Sequence, residues 1–413
     1  MSSARWVYNA LVPAAVLGAH AAARFLPKMR AAVEGRRGFR ERWDALARGL
    51  EAPPVWFHVA SVGEFEQARP VISALGRARP EIPVMLTFSS PSGYSFARKR
   101  ETPGQGSLRF IDYLPFDTAA HMRFCLERAK PRLLVFVKFD LWPNLVWEAD
   151  ARDVPIVLID ATLSASSGRL APPARWLYRD VYRRLDAVLA ISDDDAARFC
   201  ASVPAHRSVS VAGDTRFDRV MERWQQRTTS TFSLPDGGPT LIAGSTWPPD
   251  EARLLPALTR LLAEDAHLRV VLVPHEPTPE HVGPLRRWAA ETGVSARVVI
   301  VDVVGVLAEA YRFADVVYVG GAFTTGVHSV IEPAIAGVPV VFGPKHDNSF
   351  EAMQLLAHRA ARTIRTADEA YDALSTWLRD EVARAAAGRT ARAYVESQLG
   401  ATEKCMAALT PYL

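Results

Sequence analysis

Short apolar segments alternate with longer amphipathic ones along most of the chain, and this alternation restricts the fold more than any other feature. Eleven apolar segments rich in β-branched residues follow residue 50, at 55–60, 84–88, 133–139, 156–159, 187–191, 209–212, 240–243, 269–274, 297–301, 316–319 and 339–342. Strands separated by helix-length segments predict βαβ units and parallel sheets. Because the segments are almost continuously apolar, both faces of each sheet should be covered by helices.

The length and charge of the chain limit the classes of protein it can belong to. A chain of 413 residues, 49% hydrophobic and 23% charged, is long enough for two globular domains. Its 49 Lys and Arg exceed its 45 Asp and Glu by too little to indicate a nucleic-acid partner. Cys125, Cys200 and Cys405 match neither a disulfide framework nor a metal-ligand spacing, and we expect them to be inert packing residues in a reducing compartment.

The N-terminus combines an uncharged segment with a basic one. Residues 6–23 contain no Asp, Glu, Lys or Arg, a stretch only marginally long enough to cross a bilayer. Seven basic residues and two acidic ones lie between positions 24 and 42, the flank expected to stay near anionic lipid on the cytoplasmic side. The pattern predicts a retained membrane anchor or a helix lying in the interface, with an ordinary docking helix as the alternative. Pro13, Gly18 and His20 weaken a spanning helix.

The best linker in the chain separates the two series of apolar segments. Residues 219–239 are polar and end in a run of Pro, Asp and Gly, which is typical of a turn or loop. The sequence therefore predicts an anchor at 1–27, a doubly wound domain at 28–218, a linker at 219–239 and a second doubly wound domain at 240–413. In such domains, ligands bind at the carboxyl ends of the strands, where helix N-termini offer unpaired N–H groups.

A glycine-rich loop marks one such strand end in the second half. The segment VVYVGGAFTTGVHSVIEP (316–333) places Gly320 and Gly321 directly after an apolar run, and glycine allows a close approach of backbone to ligand. Ser329 and Glu332 have the spacing of a capping box. A phosphate would suit this helix start. Equally, the glycines could serve only the turn and Glu332 only the cap, because no strict phosphate-binding fingerprint is present.

A carboxylate follows the first apolar run at the start of a predicted helix. In HVASVGEFEQ (58–67), Ser61 and Glu64 have capping-box spacing, which favours a purely structural Glu64 that accepts from the Ser61 amide. The functional alternative places Glu64 at the carboxyl edge of the sheet, facing a cleft between the domains, as a general base for an incoming hydroxyl. These residues alone leave the choice open.

An acidic triplet at 193–195 has the composition of a metal site. It follows Ser192, and acids in the first turn of a helix are stabilised by the helix dipole. We therefore interpret SDDD as a helix cap, and predict no metal site in the chain.

Six motifs, taken in their order along the chain, resemble those of one enzyme family. They are HVASVGE (58–64), YLPFD (113–117), LWPNL (141–145), GDTRFD (213–218), AGST (243–246) and GGAFTTGVHSVIEPAIAGVPVVFGPKHDNSFEA (320–352). The sequence is similar to the 3-deoxy-D-manno-octulosonic acid (Kdo) transferases of lipopolysaccharide synthesis, from the N-terminal segment to residue 352.

The resemblance implies a GT-B fold, in which two Rossmann-like domains flank a cleft, together with the membrane anchor. It implies an inverting transfer of Kdo from CMP-Kdo to a lipid A precursor, lipid IVA, at the cytoplasmic face of the inner membrane, with no cofactor and no essential metal. The N-terminal domain would bind the acceptor and the C-terminal domain CMP-Kdo. The glutamate of the SVGE motif, here Glu64, would be the general base.

Several family positions carry over with changes. Many members have a glutamate where this chain has Lys138, so that role either becomes charge stabilisation or passes to Asp140. Arg216 keeps the basic character of its motif and would be a counter-charge for a phosphate or for the Kdo carboxylate. The implied catalytic residues are thus Glu64, Lys138 and Arg216. CMP would be held through the loops 302–307 and 328–332, with Ser329, Val330 and Ile331 offering backbone amides. The implied nucleotide-binding residues are His275, Glu276, Val304, Gly305, Val306, Ser329, Val330, Ile331 and Glu332.

Two other classes of function fit a chain with two such domains. One is a GT-B enzyme acting on a UDP-sugar, either a glycolipid glycosyltransferase or a sugar epimerase. The other is a two-lobed binding protein without chemistry, which would explain neither the N-terminal segment nor the motifs. The sequence leaves open the number of Kdo residues transferred, the acyl pattern of the acceptor and the oligomeric state.

Overall fold

The computed structural model describes residues 2–104, 106–203, 208–226, 234 and 237–413. The chain forms two compact units. Unit 1 consists of Met1–Arg219 together with Leu399–Leu413, and unit 2 consists of Val220–Gln398. Each unit is built around one parallel sheet, as the alternation of apolar and amphipathic segments predicts.

Unit 1 contains a seven-stranded sheet in the order β3-β2-β1-β4-β5-β6-β7, with every pair parallel. The order reverses direction beside β1, which is typical of a doubly wound sheet. Its strands are β1 (Val55–Val59), β2 (Val84–Phe88), β3 (Leu108–Tyr113), β4 (Leu133–Val137), β5 (Ile156–Ala161), β6 (Ala187–Ala190) and β7 (Ser208–Val211).

Helices cover both faces of this sheet and bury two apolar clusters. The tryptophans Trp43, Trp56 and Trp147 fill one cluster, whereas helices α4 (Val62–Ala78) and α18 (Ala401–Leu409) contribute to the other. The helices that begin in unit 1 are α1 (Ser3–Ala22), α2 (Pro27–Gly35), α3 (Phe39–Gly49), α4 (Val62–Ala78), α5 (Pro91–Arg100), α6 (Ala119–Ala129), α7 (Pro143–Asp150), α8 (Ala174–Tyr182), α9 (Asp193–Cys200) and α10 (Thr215–Gln225).

Unit 2 contains a six-stranded parallel sheet in the order β10-β9-β8-β11-β12-β13. Its strands are β8 (Thr240–Thr246), β9 (Arg269–Pro274), β10 (Val298–Ile300), β11 (Val316–Val319), β12 (Val340–Phe342) and β13 (Ala361–Thr363). The remaining helices are α11 (Pro248–Glu264), α12 (Pro279–Glu291), α13 (Leu307–Ala310), α14 (Ile331–Ile335), α15 (Phe350–Ala357), α16 (Ala367–Arg379), α17 (Glu381–Ser397) and α18 (Ala401–Leu409).

All eleven predicted apolar segments form strands, and the two strands that were not predicted lie at sheet edges. Strand β3 carries the exposed Arg109 and the buried Asp112, so its sequence lacks a continuous apolar run. Strand β13 has only three residues, of which Arg362 is exposed. An edge strand pairs on one side only, so its residues are under weaker pressure to be apolar.

The ends of the units differ from the predicted domain boundaries. Residues 219–225 of the predicted linker are helical, because α10 runs to Gln225. Residues 227–233, 235 and 236 of that linker lie outside the described part of the chain. Residues 399–413, predicted in the second domain, belong to unit 1, where the Asp218 carboxylate accepts from the amides of Gly400 (2.8 Å) and Thr402 (2.6 Å).

The three cysteines do not share one environment. Cys125 and Cys405 are buried packing residues, as predicted, and burial raises the pKa of both thiols. Cys200 is exposed, which corrects the expectation that all three are packing residues.

The N-terminal helix α1 is attached to unit 1 along one side. Tyr8 donates to Asp117 (2.9 Å), Ser2 donates to Asp180 (2.9 Å), and Arg5 pairs with the buried Glu148. In the described chain, no single helix is both long and apolar enough for a membrane span. Helices α1 and α2 pass that test only when taken together, and they meet at a bend of 119°.

Candidate active site

Glu64 lies in the first turn of α4, directly after β1 at the carboxyl edge of the unit 1 sheet. The Ser61 hydroxyl accepts from the Glu64 amide, and the Glu64 carboxylate in turn accepts from the amide of Ala60. Ser61 therefore caps the helix as predicted, but the Glu64 carboxylate accepts from Ala60, one residue before the expected donor Ser61. These bonds use one carboxylate oxygen, Oε2, and so the cap and a chemical role are compatible.

The Glu64 carboxyl group is an unusually weak acid. Its side chain is 4% exposed, and burial raises its pKa to about 7, with a further rise from the charge of Asp140. The hydrogen bond from Ala60 and the charge of Lys138 oppose this rise. A pKa near 7 suits a general base at neutral pH, because about half of the molecules carry the ionised form there and that form binds a proton more readily than an ordinary carboxylate.

Asp140 is held as an anion close to Glu64 by three donors. The donors Ser89 Oγ (3.0 Å), Trp142 Nε1 (3.0 Å) and His58 Nε2 (3.4 Å) all approach Asp140 Oδ2. Burial alone would raise the pKa of Asp140, but the bonds from His58, Trp142 and Ser89 lower it overall. The sequence placed Asp140 as a possible substitute for the family glutamate, and the structure places it within electrostatic range of Glu64.

Lys138 and Arg216, the other two predicted catalytic residues, occupy different settings. Lys138 follows β4 in a left-handed conformation (φ +64°), and its charge reaches Glu64. The guanidinium of Arg216 donates from Nε (2.8 Å) and Nη2 (2.6 Å) to Asp214, which already balances its charge. Asp214 also raises the pKa of the buried Asp160, after the larger effect of burial itself. The role of Arg216 as a counter-charge for substrate stays a prediction.

Unit 2 contains a cavity of about 260 Å³ at the carboxyl edge of its sheet. The predicted residues Gly305, Ser329 and Glu332 line it together. It is also lined by Leu307 and His328, which belong to the loops 302–307 and 328–332 predicted to hold CMP. The other lining residues, to which the sequence assigned no role, are Arg223, Ser245, Ala308 and Tyr311. Arg223 lies 3.9 Å from the Glu332 carboxylate. Ser245 belongs to the motif AGST (243–246) and His328 to the motif at 320–352, so these two motifs could have indicated that both residues lie near the site.

The remaining predicted nucleotide-binding residues are not in this cavity lining. The side chains of Val330 and Ile331 are buried in the core, and the contribution of their backbone amides stays a prediction. Val306 precedes α13, next to the lining residue Leu307. Val304 is 80% exposed, and Glu276 is exposed.

His275, although exposed, is joined to the cavity through ring stacking. Its imidazole lies parallel to that of His328, with centroids 4.2 Å apart, and Trp247 stacks on it at 4.9 Å. The Trp247 indole N–H, which only donates, is 3.0 Å from His328 Nε2. His328 must therefore be neutral with its proton on Nδ1. Burial, together with the electrostatic effect of His275, lowers the pKa of His328 to about 4, which agrees with a neutral ring.

Two glycines make room at the strand ends around this cavity, Gly320 for the backbone of the neighbouring strand and Gly244 for side chains. A Cβ on Gly320 would lie 2.2 Å from the Ser245 carbonyl oxygen, and one on Gly244 would lie 2.3 Å from the Tyr311 hydroxyl. The glycine-rich loop is thus required for packing of backbone against backbone as well as for the turn.

The acidic triplet after β6 has the predicted capping geometry. Ser192 is the N-cap of α9, and its hydroxyl accepts from the Asp195 amide at 3.2 Å. Within the described ranges, no group of three His, Cys, Asp or Glu residues is arranged to hold a metal ion.

Comparison with known proteins identifies the family. Residues 34–219 match the family model of 3-deoxy-D-manno-octulosonic-acid transferases (kdotransferases). The 3-deoxy-D-manno-octulosonic acid transferase of Bordetella pertussis is 31% identical over 392 residues, which cover 90% of each chain. The transferase of the same name from Haemophilus influenzae is 24% identical over 396 residues, which cover 92% of each chain.

Solved structures of low sequence identity share the fold. The UDP-GlcNAc 2-epimerase of Neisseria meningitidis has a TM-score of 0.61 at 13% identity, covering 87% of this chain and 100% of its own. Acinetobacter baumannii MurG has a TM-score of 0.58 at 16% identity, with the same coverage. These neighbours and the two parallel sheets confirm the predicted GT-B class with two Rossmann-like units. The chain belongs to the 3-deoxy-D-manno-octulosonic acid transferase family of lipopolysaccharide glycosyltransferases.

Proposed function

We propose that this protein transfers Kdo from CMP-Kdo to a lipid A precursor, lipid IVA, with inversion at the anomeric carbon. The observation that carries the proposal is Glu64, a buried carboxyl group with a pKa of about 7 in the family motif SVGE. Family membership supports the sugar, and the chemistry of Glu64 supports a hydroxyl group as the nucleophile.

The proposed step is a single displacement. The Glu64 carboxylate takes the proton of a glucosamine hydroxyl of the acceptor while that oxygen forms a bond to the anomeric carbon of Kdo. The bond between that carbon and the CMP phosphate oxygen breaks at the same time, and CMP leaves with the electron pair. Attack opposite the leaving group inverts the configuration, and no covalent intermediate with the protein is needed.

The unit 2 cavity supports binding of the CMP moiety. In the proposal, Glu332 accepts from the ribose hydroxyls, and the amides around Ser329 and Gly305 donate to the phosphate. The lining offers hydroxyl groups from Ser245 and Ser329 and a neutral imidazole from His328. Neutral donors of this kind bind a phosphate, and Arg223 adds a positive charge to the lining.

Mass spectrometry of a single reaction tests the donor, the acceptor and the reaction class together. The purified protein is incubated with lipid IVA and with CMP-Kdo generated in place. We expect stepwise mass increases of one Kdo each, and the number of steps gives the number of residues transferred. Absence of any product, together with thermal stabilisation by UDP but not by CMP, would contradict the proposal and favour an enzyme acting on a UDP-sugar.

The pH dependence of transfer follows from the raised pKa of Glu64. A general base acts in its ionised form, so kcat/KM should rise with pH through about 7 and fall about tenfold for each pH unit well below it. A pH profile from 5 to 9 measures this limb. A rate that stays constant from pH 5 to 8 would show that no group with this pKa is required.

We also propose that α1 attaches the protein to the cytoplasmic face of the inner membrane while lying in the interface. One side of the helix is bonded to unit 1 through Tyr8, whereas Trp6 and Leu17 of the helix and Phe25 just after it are 68%, 71% and 81% exposed. Large apolar side chains beside a basic segment suit a surface of anionic lipid.

Flotation with vesicles that contain anionic lipid tests this attachment. The variant with Trp6, Leu17 and Phe25 changed to serine should lose most of its vesicle binding, because each exposed apolar side chain contributes to insertion. Val382→Ser is the matched control, since Val382 is 79% exposed in unit 2. Equal flotation of the triple variant and the control would contradict the proposal.

A further inference from the structure

Two cationic side chains lie against the ring of Phe139. Lys138 Nζ is 5.3 Å from the ring centroid, and the guanidinium carbon of Arg169 is 4.5 Å from it. Lys138 follows β4, and Arg169 lies in a 3-10 segment (Gly168–Leu170) after the neighbouring strand β5. Strand β1, which leads to Glu64, pairs with the other side of β4. All three side chains therefore belong to the carboxyl edge of one sheet.

Neither cation forms a salt bridge in the described part of the chain, and Lys138 interacts with Glu64 only at longer range. No carboxylate lies within 4 Å of Lys138 or of Arg169, and Arg169 Nε is buried without a hydrogen-bond partner. Asp140 does not fill this role, because Ser89, Trp142 and His58 all approach its Oδ2. Both cations are half-buried. Partial burial of an unpaired charge is costly, and such groups in proteins are normally paired.

We propose that Lys138 and Arg169 form a subsite for an oxyanion of the substrate. The proposal rests on the proposed function and deepens it. A lysine and an arginine together suit a phosphate or a carboxylate, because each donates charge-assisted hydrogen bonds. The two sources of such an anion are a phosphate ester on the acceptor sugar and the carboxylate of Kdo. Their location on unit 1 favours the acceptor phosphate.

The subsite explains how a lysine at position 138 is compatible with Glu64 as the general base. A cation there lowers the pKa of Glu64 and so opposes the effect of burial. An anion bound between Lys138 and Arg169 would reduce that effect. The bound substrate would then itself make Glu64 a stronger base, which couples acceptor binding to proton transfer.

Calorimetric titration of the full-length protein tests the subsite without requiring turnover. The two probes are glucosamine 1-phosphate and free Kdo, which carry the two candidate anions separately. The variants are Lys138→Met and Arg169→Met, which keep the apolar stem of each side chain, and Arg175→Ala is the control because Arg175 is exposed. Each Met variant should weaken binding of the recognised probe by roughly ten- to hundredfold, and the control should not.

The outcomes distinguish the acceptor phosphate from the Kdo carboxylate. They also test the subsite separately from the proposed Kdo transfer. Binding of the phosphate sugar that depends on both cations assigns the subsite to the acceptor, and binding of free Kdo with the same dependence assigns it to the donor. The subsite is overturned if wild type binds neither probe, or if both Met variants bind as wild type does. Thermal unfolding verifies folding, and removal of an unpaired cation should not lower Tm. The product assay remains an independent test of Kdo transfer.

Discussion

Glu64→Gln is expected to reduce the rate of Kdo transfer by roughly 10²- to 10⁴-fold, the contribution typical of a general base. Glutamine is isosteric with the protonated acid but does not accept a proton at neutral pH. Its amide oxygen still accepts from the Ala60 amide, so the start of α4 is retained. Single-turnover kinetics with the enzyme and acceptor in excess over the donor measure the chemical step.

Glu66→Gln is the matched control for this change. Glu66 lies two residues further along α4 and pairs with Arg69 (3.3 Å) and Arg219 (3.1 Å). Loss of these partly exposed pairs costs little stability and removes no group from the proposed reaction. A loss of less than about tenfold in Glu64→Gln, with unchanged thermal unfolding, would contradict the assignment of the base.

Gly320→Ala is expected to produce the largest structural effect. A Cβ at this position would lie 2.2 Å from the Ser245 carbonyl oxygen and 2.7 Å from Thr246 Cα, and both are backbone atoms. Relief requires β8 and β11 to separate at the edge of the cavity, because a backbone atom has no alternative rotamer. Overpacking typically costs about 1–3 kcal/mol, and this clash should reach or exceed the upper value.

Thermal unfolding and titration with CMP measure the two consequences of this change. The cost should lower Tm by roughly 6–12 °C and should weaken CMP binding through displacement of Ser245. Gly283→Ala in α12 is the control, since a Cβ at position 283 would have no atom within 4 Å and alanine favours a helix. A Gly320→Ala variant as stable as the control would contradict the close approach of the β8 and β11 strand ends.

Part of the site was predictable because local spacing determines it. Ser61 and Glu64 are three residues apart at the start of a helix, and this spacing alone places the carboxylate at the end of β1. The glycine-rich loop was predictable from its glycines, but the spacing of Ser329 and Glu332 does not produce a cap, because Val330 is the N-cap of α14 and no side chain caps it. The raised pKa of Glu64 was not, because it depends on burial and on Asp140, a residue 76 positions away along the chain.

Other features depend on contacts between distant segments. The neutral state of His328 requires the indole of Trp247, 81 residues earlier in the chain. Arg216 and Asp214 are two residues apart, so the sequence permits their ion pair. Whether the flexible guanidinium pairs with Asp214 or with another group depends on tertiary packing. The unpaired cations Lys138 and Arg169 became visible only when both were found against Phe139.

By itself, the sequence determined the two parallel sheets and the junctions that carry the candidate site. Apolar runs of strand length separated by helical segments permit few other arrangements, because each run must bury both faces. The tertiary structure alone decided the edge strands, the return of residues 399–413 to unit 1 and the charge state of the site. The physical reason is that edge pairing, desolvation and charge interactions depend on distances in space, which local sequence spacing does not specify.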